Sequence, residues 1–323
     1  MSIGTIGVLT SGGDAPGMNA CVRAVVRTAL YKGIKVKAIM KGYQGLISGD
    51  IIDIDNRRFV SEIINRGGTI LHTARCLAMT TPEGALLAAD AVKKAGIDCL
   101  VVIGGDGSYR GALELSKAGV NVLCIPGTID LDIASTEYTI GFDTAITTAM
   151  DAINKLRDTS TSHDRVSVVE VMGRRAGYIA LWAGIAGGAD VILMPEKPED
   201  NNIDKICDVV NKNKDIGKTH SLIVVAEGVG SVEEIAKQVQ ERTGIEARAT
   251  ILGHLQRGGY PTALDRVHAS MMGGIAVEIA NENRFSRAIC YKNGRYIDID
   301  LEEAINMTKT IDKTMYDISK MLV

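Results

Sequence analysis

The chain has 323 residues, 46% of them apolar and only 6 of them proline, with 36 basic and 39 acidic side chains for a net charge of −3. That length builds one large or two medium domains with substantial cores, and the composition excludes a disordered or low-complexity chain. The near-neutral balance gives no overall positive field of the kind that draws nucleic acid or an anionic membrane, so neither is expected as a partner.

Cys21, Cys76, Cys99, Cys124, Cys207 and Cys290 form no C-x-x-C pair, and Cys99 and Cys124 fall inside apolar runs. They read as core thiols in a reducing compartment. Met1-Ser2-Ile3-Gly4 carries no basic region ahead of an apolar one, and the longest apolar stretch, Ala176 to Ala189, is broken by Gly-Gly. A bilayer needs roughly 20 apolar residues, so a soluble cytoplasmic protein is expected.

Ile3–Thr10 reads as a short apolar strand running into Ser11-Gly12-Gly13-Asp14-Ala15-Pro16-Gly17, followed by a helix from Met18 to about Lys32. Arg23 and Arg27 stand one turn apart on that helix. Such a pair is either a solvated face or an anion clamp, since each guanidinium is a planar fork of donors. Val36–Met40 is strand-like and Gly42-Tyr43-Gln44-Gly45 reads as a turn. Asn65–Arg75 is a glycine turn and a short run, and Ala85–Ala95 a helix closed by Gly96.

Cys99–Ile103 is apolar on both faces, as a buried strand of a parallel sheet is. It stops abruptly at Gly104-Gly105-Asp106-Gly107-Ser108. Glycines at a strand's carboxyl end let backbone N–H groups close on phosphate oxygens, and a carboxylate there suits Mg²⁺, which shares its shell with phosphates and water. Val101–Ser108 outlines a nucleoside triphosphate site; the plainer alternative is a βα turn whose Asp caps the next helix. It is not a dinucleotide loop, because Arg110 replaces the third glycine, and no Gly-Lys-Ser/Thr makes it a P-loop.

A helix over Gly111–Lys117 and a strand over Val122–Ile125 lead to Pro126-Gly127-Thr128-Ile129-Asp130-Leu131-Asp132. This second strand-end turn brings a hydroxyl and two carboxylates. A carboxylate beside Mg²⁺ and a triphosphate is suited to accept a proton from an attacking alcohol. Its plainer alternative is a type I turn with an Asp helix cap.

Later elements are a helix over Ala145–Thr159, strand Val166–Val171 ending in Met172-Gly173-Arg174-Arg175, an apolar helix Gly177–Ala186, and strands Val191–Met194, Ser221–Ala226 and Glu246–Ile251. The last two end in Glu227-Gly228 and Gly253-His254-Leu255-Gln256-Arg257-Gly258-Gly259. Arg165, Arg174, Arg248 and Arg257 are expected to gather at one edge and point to a second, phosphate-bearing ligand. His72, His163, His220 and His268 have no zinc-ligand spacing and read as structural. Asn281–Arg284 reads as a loop, Tyr296–Asp300 as an edge strand, and Leu301–Val323 holds a terminal helix.

Gly-Gly-Asp-Gly-Ser/Thr after a strand occurs in phosphofructokinases and in NAD and lipid kinases. Five stretches in order separate them: Ser11–Asn19, Gly104–Ser108, Pro126–Asp132, Met172-Gly173-Arg174 and Gly253–Gly259. On these the chain resembles the bacterial-type 6-phosphofructokinases from end to end. The resemblance implies an α/β fold of two Rossmann-like α/β/α domains with mostly parallel sheets. It places an ATP-binding domain in 1–141 plus 254–304 and a sugar-phosphate domain in 142–253 plus 305–323. It also implies transfer of the γ-phosphoryl of MgATP to the 1-hydroxyl of fructose 6-phosphate by a homotetramer.

Carried over by position, Asp130 is the base, Asp106 the Mg²⁺ carboxylate, Thr128 orients the phosphoryl, and Arg174 stabilises its charge, with Asp132 beside them. Gly13, Arg75, Cys76, Gly105, Gly107 and Ser108 match nucleotide contacts. Ile129, Met172, Gly173, Glu227, His254, Leu255, Gln256 and Arg257 match the sugar-phosphate side, and Arg165 and Arg248 reach it from a neighbouring subunit. Gly107 and Gly127 stand where pyrophosphate-dependent relatives carry Asp and Lys, which selects ATP over that nearest alternative. A sugar-binding relative without chemistry, or a nicotinamide dehydrogenase, fits less well, because Asp106, Asp130 and Asp132 are all present and the third glycine is not.

Two departures stand out. Leu131 replaces the family's usual Asn beside the base. Arg23, Arg27, Arg157, Asp190 and Lys218 match effector positions, yet Gly49-Asp50-Ile51 lacks an arginine, Ile216 replaces a lysine, and Asp190 is shorter than the common Glu. Fewer cations weaken an anion site, so altered or weak allosteric control is expected.

Overall fold

The computed structural model describes residues 3–322. In chain order it opens with β1 (Thr5–Ser11), α1 (Met18–Tyr31), β2 (Lys35–Ile39), α2 (Gly42–Ser48), β3 (Ile51–Ile54), α3 (Pro82–Lys94), β4 (Cys99–Gly104), α4 (Asp106–Lys117) and β5 (Val122–Pro126). There follow α5 (Phe142–Thr161), β6 (Val166–Val171), α6 (Tyr178–Gly187), β7 (Val191–Leu193), α7 (Ile203–Asp215), β8 (Ser221–Ala226), α8 (Val232–Thr243) and β9 (Ala247–Ile251). The chain closes with α9 (Ala263–Asn281), β10 (Arg287–Lys292), β11 (Arg295–Asp300), α10 (Leu301–Asn306) and α11 (Lys313–Met321).

These elements form two units: Met1–Asp143 with Arg257–Lys309, and Thr144–Gln256 with Thr310–Val323. In the first, seven strands run in the order β11-β10-β5-β4-β1-β2-β3, parallel from β10 to β2 and antiparallel only where β11 and β3 close the edges. The second holds four parallel strands in the order β7-β8-β6-β9. This is the expected α/β architecture with mostly parallel sheets.

The runs that read as doubly apolar are the sheet centres. Leu100, Val101, Val102 and Ile103 are fully buried, and so are Ile223, Val224 and Val225. Each fully buried aliphatic side chain of that size contributes about 1.5–3 kcal/mol, so each strand adds several such increments to its unit's core. Chain order reverses between β1 and β4 in the first sheet and between β6 and β9 in the second. Open α/β sheets bind ligands outside the strand carboxyl ends at such reversals, and the glycine-rich stretches lie at three of those four ends.

Three expectations need correction. Gly42–Gly45 is no turn but the start of α2, because its glycines serve close packing: a Cβ on Gly42 would lie 2.8 Å from Thr10 O, and one on Gly45 1.6 Å from Met40 O. Helix α4 begins at Asp106 instead of Gly111, with Gly105 in an extended conformation ahead of it. The terminal segment carries two helices, α10 and α11, where one was read.

Candidate active site

In the first unit, register brings the loops level. Ser11 pairs with Gly104 and Gly104 with Pro126, so β1, β4 and β5 end side by side. Gly104 can only be glycine there, since a Cβ would stand 2.5 Å from both Ser11 O and Ser108 Oγ. Its carbonyl accepts from Gly127 N at 3.0 Å, which ties the Gly104–Ser108 loop to the Thr128–Asp132 turn. A Cβ on Gly105 would be 3.6 Å from Thr128 Cβ. The two acidic bends, distant in sequence, thus share one sheet edge.

Thr128 and Asp130 are both 7% exposed, and Thr128 Oγ1 accepts from Asp130 N at 3.2 Å. Leu131 follows with φ of +55°, a left-handed conformation that Asn tolerates and Leu rarely adopts. Asp106, Gly107 and Ser108 form the first turn of α4, whose free N–H groups and dipole favour an anion. The Asp106 carboxylate is forked by Arg110 at 2.9 and 3.1 Å, and that hydrogen bonding raises the guanidinium's pKa. Both side chains are largely exposed, so the pair is worth little.

The loops at this edge are braced by polar contacts that no motif announces. Thr73 Oγ1 donates to Gly12 O at 2.6 Å, and the Asn19 amide holds Arg66 O, Gly67 O and Ile70 N, fixing the segment that leads to Arg75 and Cys76. The Arg257 guanidinium donates to Asp14 O at 2.9 Å, and a Cβ on Gly13 would meet its Nη1 at 2.6 Å. Buried Asp265 accepts from Tyr138 Oη and Gly141 N, both at 2.6 Å. A Cβ on Gly141 would strike Ala15 at 2.7 Å and Ile129 at 3.2 Å, so Asp265 fixes backbone wedged between the first loop and the turn.

In the second unit, Met172-Gly173-Arg174 leaves β6 in a tight bend, with φ of +143° at Gly173 and +58° at Arg174. A Cβ on Gly173 would lie 2.3 Å from Ala176 O. Glu227, at the end of β8, accepts the Arg174 N–H, and fully buried Gln256 accepts Met172 N at 2.7 Å while reaching Ala145 O at 3.4 Å. Gln256, His254 and Leu255 lie in the turn after β9, so this edge gathers Met172, Gly173, Arg174, Glu227 and His254.

The expected gathering of all the arginines fails. Arg165 precedes β6 and Arg248 is the second residue of β9, so both stand at the amino end of the sheet, about 20 Å of strand away from Arg174. There they share Glu246, at 2.6 and 2.8 Å, and their hydrogen bonds pull that carboxyl's pKa down. Parallel strands pointing one way place residues just before and just after a strand at opposite ends.

The effector-type positions divide between the units. Arg23 and Arg27 are neighbours on α1; burial, and then Arg27, lowers the Arg23 pKa. Asp190 is nearly buried and accepts from Lys218 Nζ, from Asn213 Nδ2 at 2.9 Å and from Leu222 N at 2.8 Å. Lys218 is therefore neutralised within its own chain, and Ile216 beside it is exposed.

Among the described residues there is no cluster of three His, Cys, Asp or Glu side chains able to hold a metal alone, and no helix is long and apolar enough to cross a membrane. A lone Asp106 at a helix amino end that favours an anion fits Mg²⁺, which takes one or two carboxylates and completes its shell from phosphates and water.

A family profile described as Phosphofructokinase matches residues 5–280. An ATP-dependent 6-phosphofructokinase of Clostridium botulinum is 58% identical over 98% of this chain and 99% of its own length. The Pichia pastoris phosphofructokinase crystal structure in the T-state superposes with a TM-score of 0.88 at 36% identity; the match covers 100% of this chain and 39% of the longer yeast chain. A pyrophosphate-dependent phosphofructokinase of Marinobacter aquaeolei shares the fold at a TM-score of 0.85 but only 24% identity, covering 96% of this chain and 86% of that one.

Proposed function

The chain belongs to the phosphofructokinase family, and we infer that it is an ATP-dependent 6-phosphofructokinase, converting fructose 6-phosphate and ATP to fructose 1,6-bisphosphate and ADP in glycolysis. The observation that carries the reading is the pairing of the Gly104–Ser108 and Thr128–Asp132 bends at one sheet edge, joined by the Gly127–Gly104 hydrogen bond. Phosphoryl transfer needs positioning and charge neutralisation more than covalent chemistry, and those bends supply both.

The triphosphate lies on the α4 amino terminus, bounded by Gly13, Arg75, Cys76 and Gly105 to Ser108. Asp106 would hold Mg²⁺, which would supply charge neutralisation to the transferring phosphate. Asp130 accepts the proton of the sugar 1-hydroxyl as that oxygen attacks the γ-phosphorus in line. Thr128 orients the transferred group, Arg174 answers its charge, and Asp132 supports Asp130. Ile129, Met172, Gly173, Glu227, His254, Leu255, Gln256 and Arg257 hold the sugar phosphate. Arg165 and Arg248, at the far end of their sheet, serve a neighbouring subunit's sugar phosphate in a homotetramer. A cytoplasmic location agrees with six free cysteines. The Asp190–Lys218 pair and Ile216 leave the effector positions short of free cation, which supports weak control by anionic effectors.

Purified chain given fructose 6-phosphate, Mg²⁺ and either ATP or pyrophosphate tests this, with bisphosphate measured. ATP should support turnover and pyrophosphate should not; comparable rates with pyrophosphate overturn the donor assignment. Asp130→Ala should lower kcat by about 10²–10⁴-fold, the range for a lost general base, with sugar binding retained. Adding ADP or phosphoenolpyruvate should shift sugar saturation little, and strong opposite shifts would contradict the weakened control.

A further inference from the structure

Lys309 lies after α10, 178 residues from its contact in the turn, in a segment where no sequence pattern marks it. Its half-buried ammonium donates to Leu131 O and Thr136 O, each at 2.8 Å, with Ile133 O at 3.5 Å. An ammonium has three N–H donors, and these three carbonyls all belong to the one stretch of backbone that contains the reactive turn. Burial draws the Lys309 pKa down to about 8, against which the charges of Asp132 and Glu137 pull upward. Desolvation of this cation is unfavourable, so its retention needs a compensating task.

The task is visible in Leu131. Its left-handed φ of +55° lies between the two carboxylates, where a β-carbon crowds the backbone. Relaxing Leu131 to an ordinary conformation rotates the peptides on either side and re-aims Asp130 and Asp132. We propose that Lys309 is a positioning residue of the phosphoryl-transfer site, clamping the Leu131 and Thr136 carbonyls so that the turn keeps its left-handed residue and Asp130 and Asp132, on either side of it, keep their placement. The inference rests on the reading of Thr128–Asp132 as the reactive turn. An Asn at 131 holds that conformation without help, through its short polar side chain; a Leu needs the clamp. Misplacing a reacting group by about 1 Å costs about 10²-fold in rate, so the effect belongs in kcat.

The test compares Lys309→Met, Leu131→Asn and the double variant in the full chain. Lys309→Met should lower kcat about tenfold or more while KM for both substrates stays within about threefold, the split expected when ground-state binding survives. Adding Leu131→Asn should bring kcat back to within about threefold of the Leu131→Asn single variant. A Lys309→Met enzyme with undiminished kcat overturns the proposal, and so does a loss that Leu131→Asn leaves unrescued. If Lys309→Met alone does not fold, a folded and active double variant still supports the coupling, and an unfolded double variant defeats it. Asp130→Ala separates the two levels: should it keep full turnover, the reading of the turn fails; should it be inactive while Lys309→Met is fully active, only the clamp fails.

Discussion

The two glycines on which the choice of ATP over pyrophosphate rests stand in different surroundings. A Cβ on Gly107 would meet nothing within 4 Å, whereas one on Gly127 would meet Ile103 and Met18 side chains at 3.0 and 3.1 Å and Gly104 N at 3.4 Å. Gly107→Asp should therefore fold with an unchanged melting temperature, an acidic residue in the first turn of a helix being if anything favourable. It should nonetheless raise KM for ATP steeply, by charge repulsion alone. Gly127→Lys should cost about 1–3 kcal/mol, because the crowding is with packed core and backbone. Kinetics and thermal melts on the two variants check this, and equal destabilisation would contradict it. At this scale the sequence was highly legible: Gly13, Asp106, Thr128 and Asp130 all fall on the edge their motifs implied. Lys309 and Asp265 were not legible, because a side chain that acts on backbone far along the chain needs no motif of its own.

At the scale of elements, α9 is the packing partner of α1, and it holds its loop and edge strands through an aromatic cluster around His268. The imidazole is 5% exposed, stacks on Tyr138 at 3.9 Å, meets Tyr291 edge-on at 4.5 Å and bonds Tyr296 Oη through Nδ1 at 2.9 Å. Burial lowers its pKa below the ordinary 6.5, with Asp143 opposing. Between the folded and the ordinary value the unfolded chain binds more protons, so the stability is fully present above about pH 6.5 and is lost as pH falls. Melting temperature should drop from pH 7 to pH 5. His268→Gln should flatten that slope, by at most about 1.4 kcal/mol per pH unit for one group. His220, lowered by burial and then by Lys218 and Arg157, supplies the remainder, so a slope untouched by His268→Gln would refute the assignment. Strands buried on both faces announced themselves in the sequence. The glycines of α2 misled, because close approach to Thr10 and Met40 requires the same residue that a turn does.

For the whole molecule, the proposed service of Arg165 and Arg248 to a neighbouring subunit is open to a direct test. They share Glu246 at the end of the second sheet opposite Arg174 and Glu227, so a sugar phosphate held by both groups needs two chains. Mixing Asp130→Ala with Arg248→Ala chains, each nearly inactive, should regenerate activity, because one site of each hybrid pair is intact. Random pairing restores about a quarter of the sites in a symmetric assembly. No recovery after co-refolding would place the arginines in their own chain's service. Nothing in the local pattern of either arginine shows this, since strand direction becomes meaningful only once the sheet is assembled.

The backbone passes from one unit to the other three times, at Asp143–Thr144, Gln256–Arg257 and Lys309–Thr310. Neither half can then be lifted out as a gene fragment. Residues 144–256 alone would lack α11, the helix that packs on α6 and carries Tyr316 and Lys320 to Asp200, and would bare the hollow between Ile192, Ile206 and Val209. A ribosome that has released everything up to residue 300 has finished neither body. The first waits for residues up to 309 and the second for α11 beyond them, so a cut ahead of residue 309 should cripple two folds at once, and one between 309 and α11 only the second.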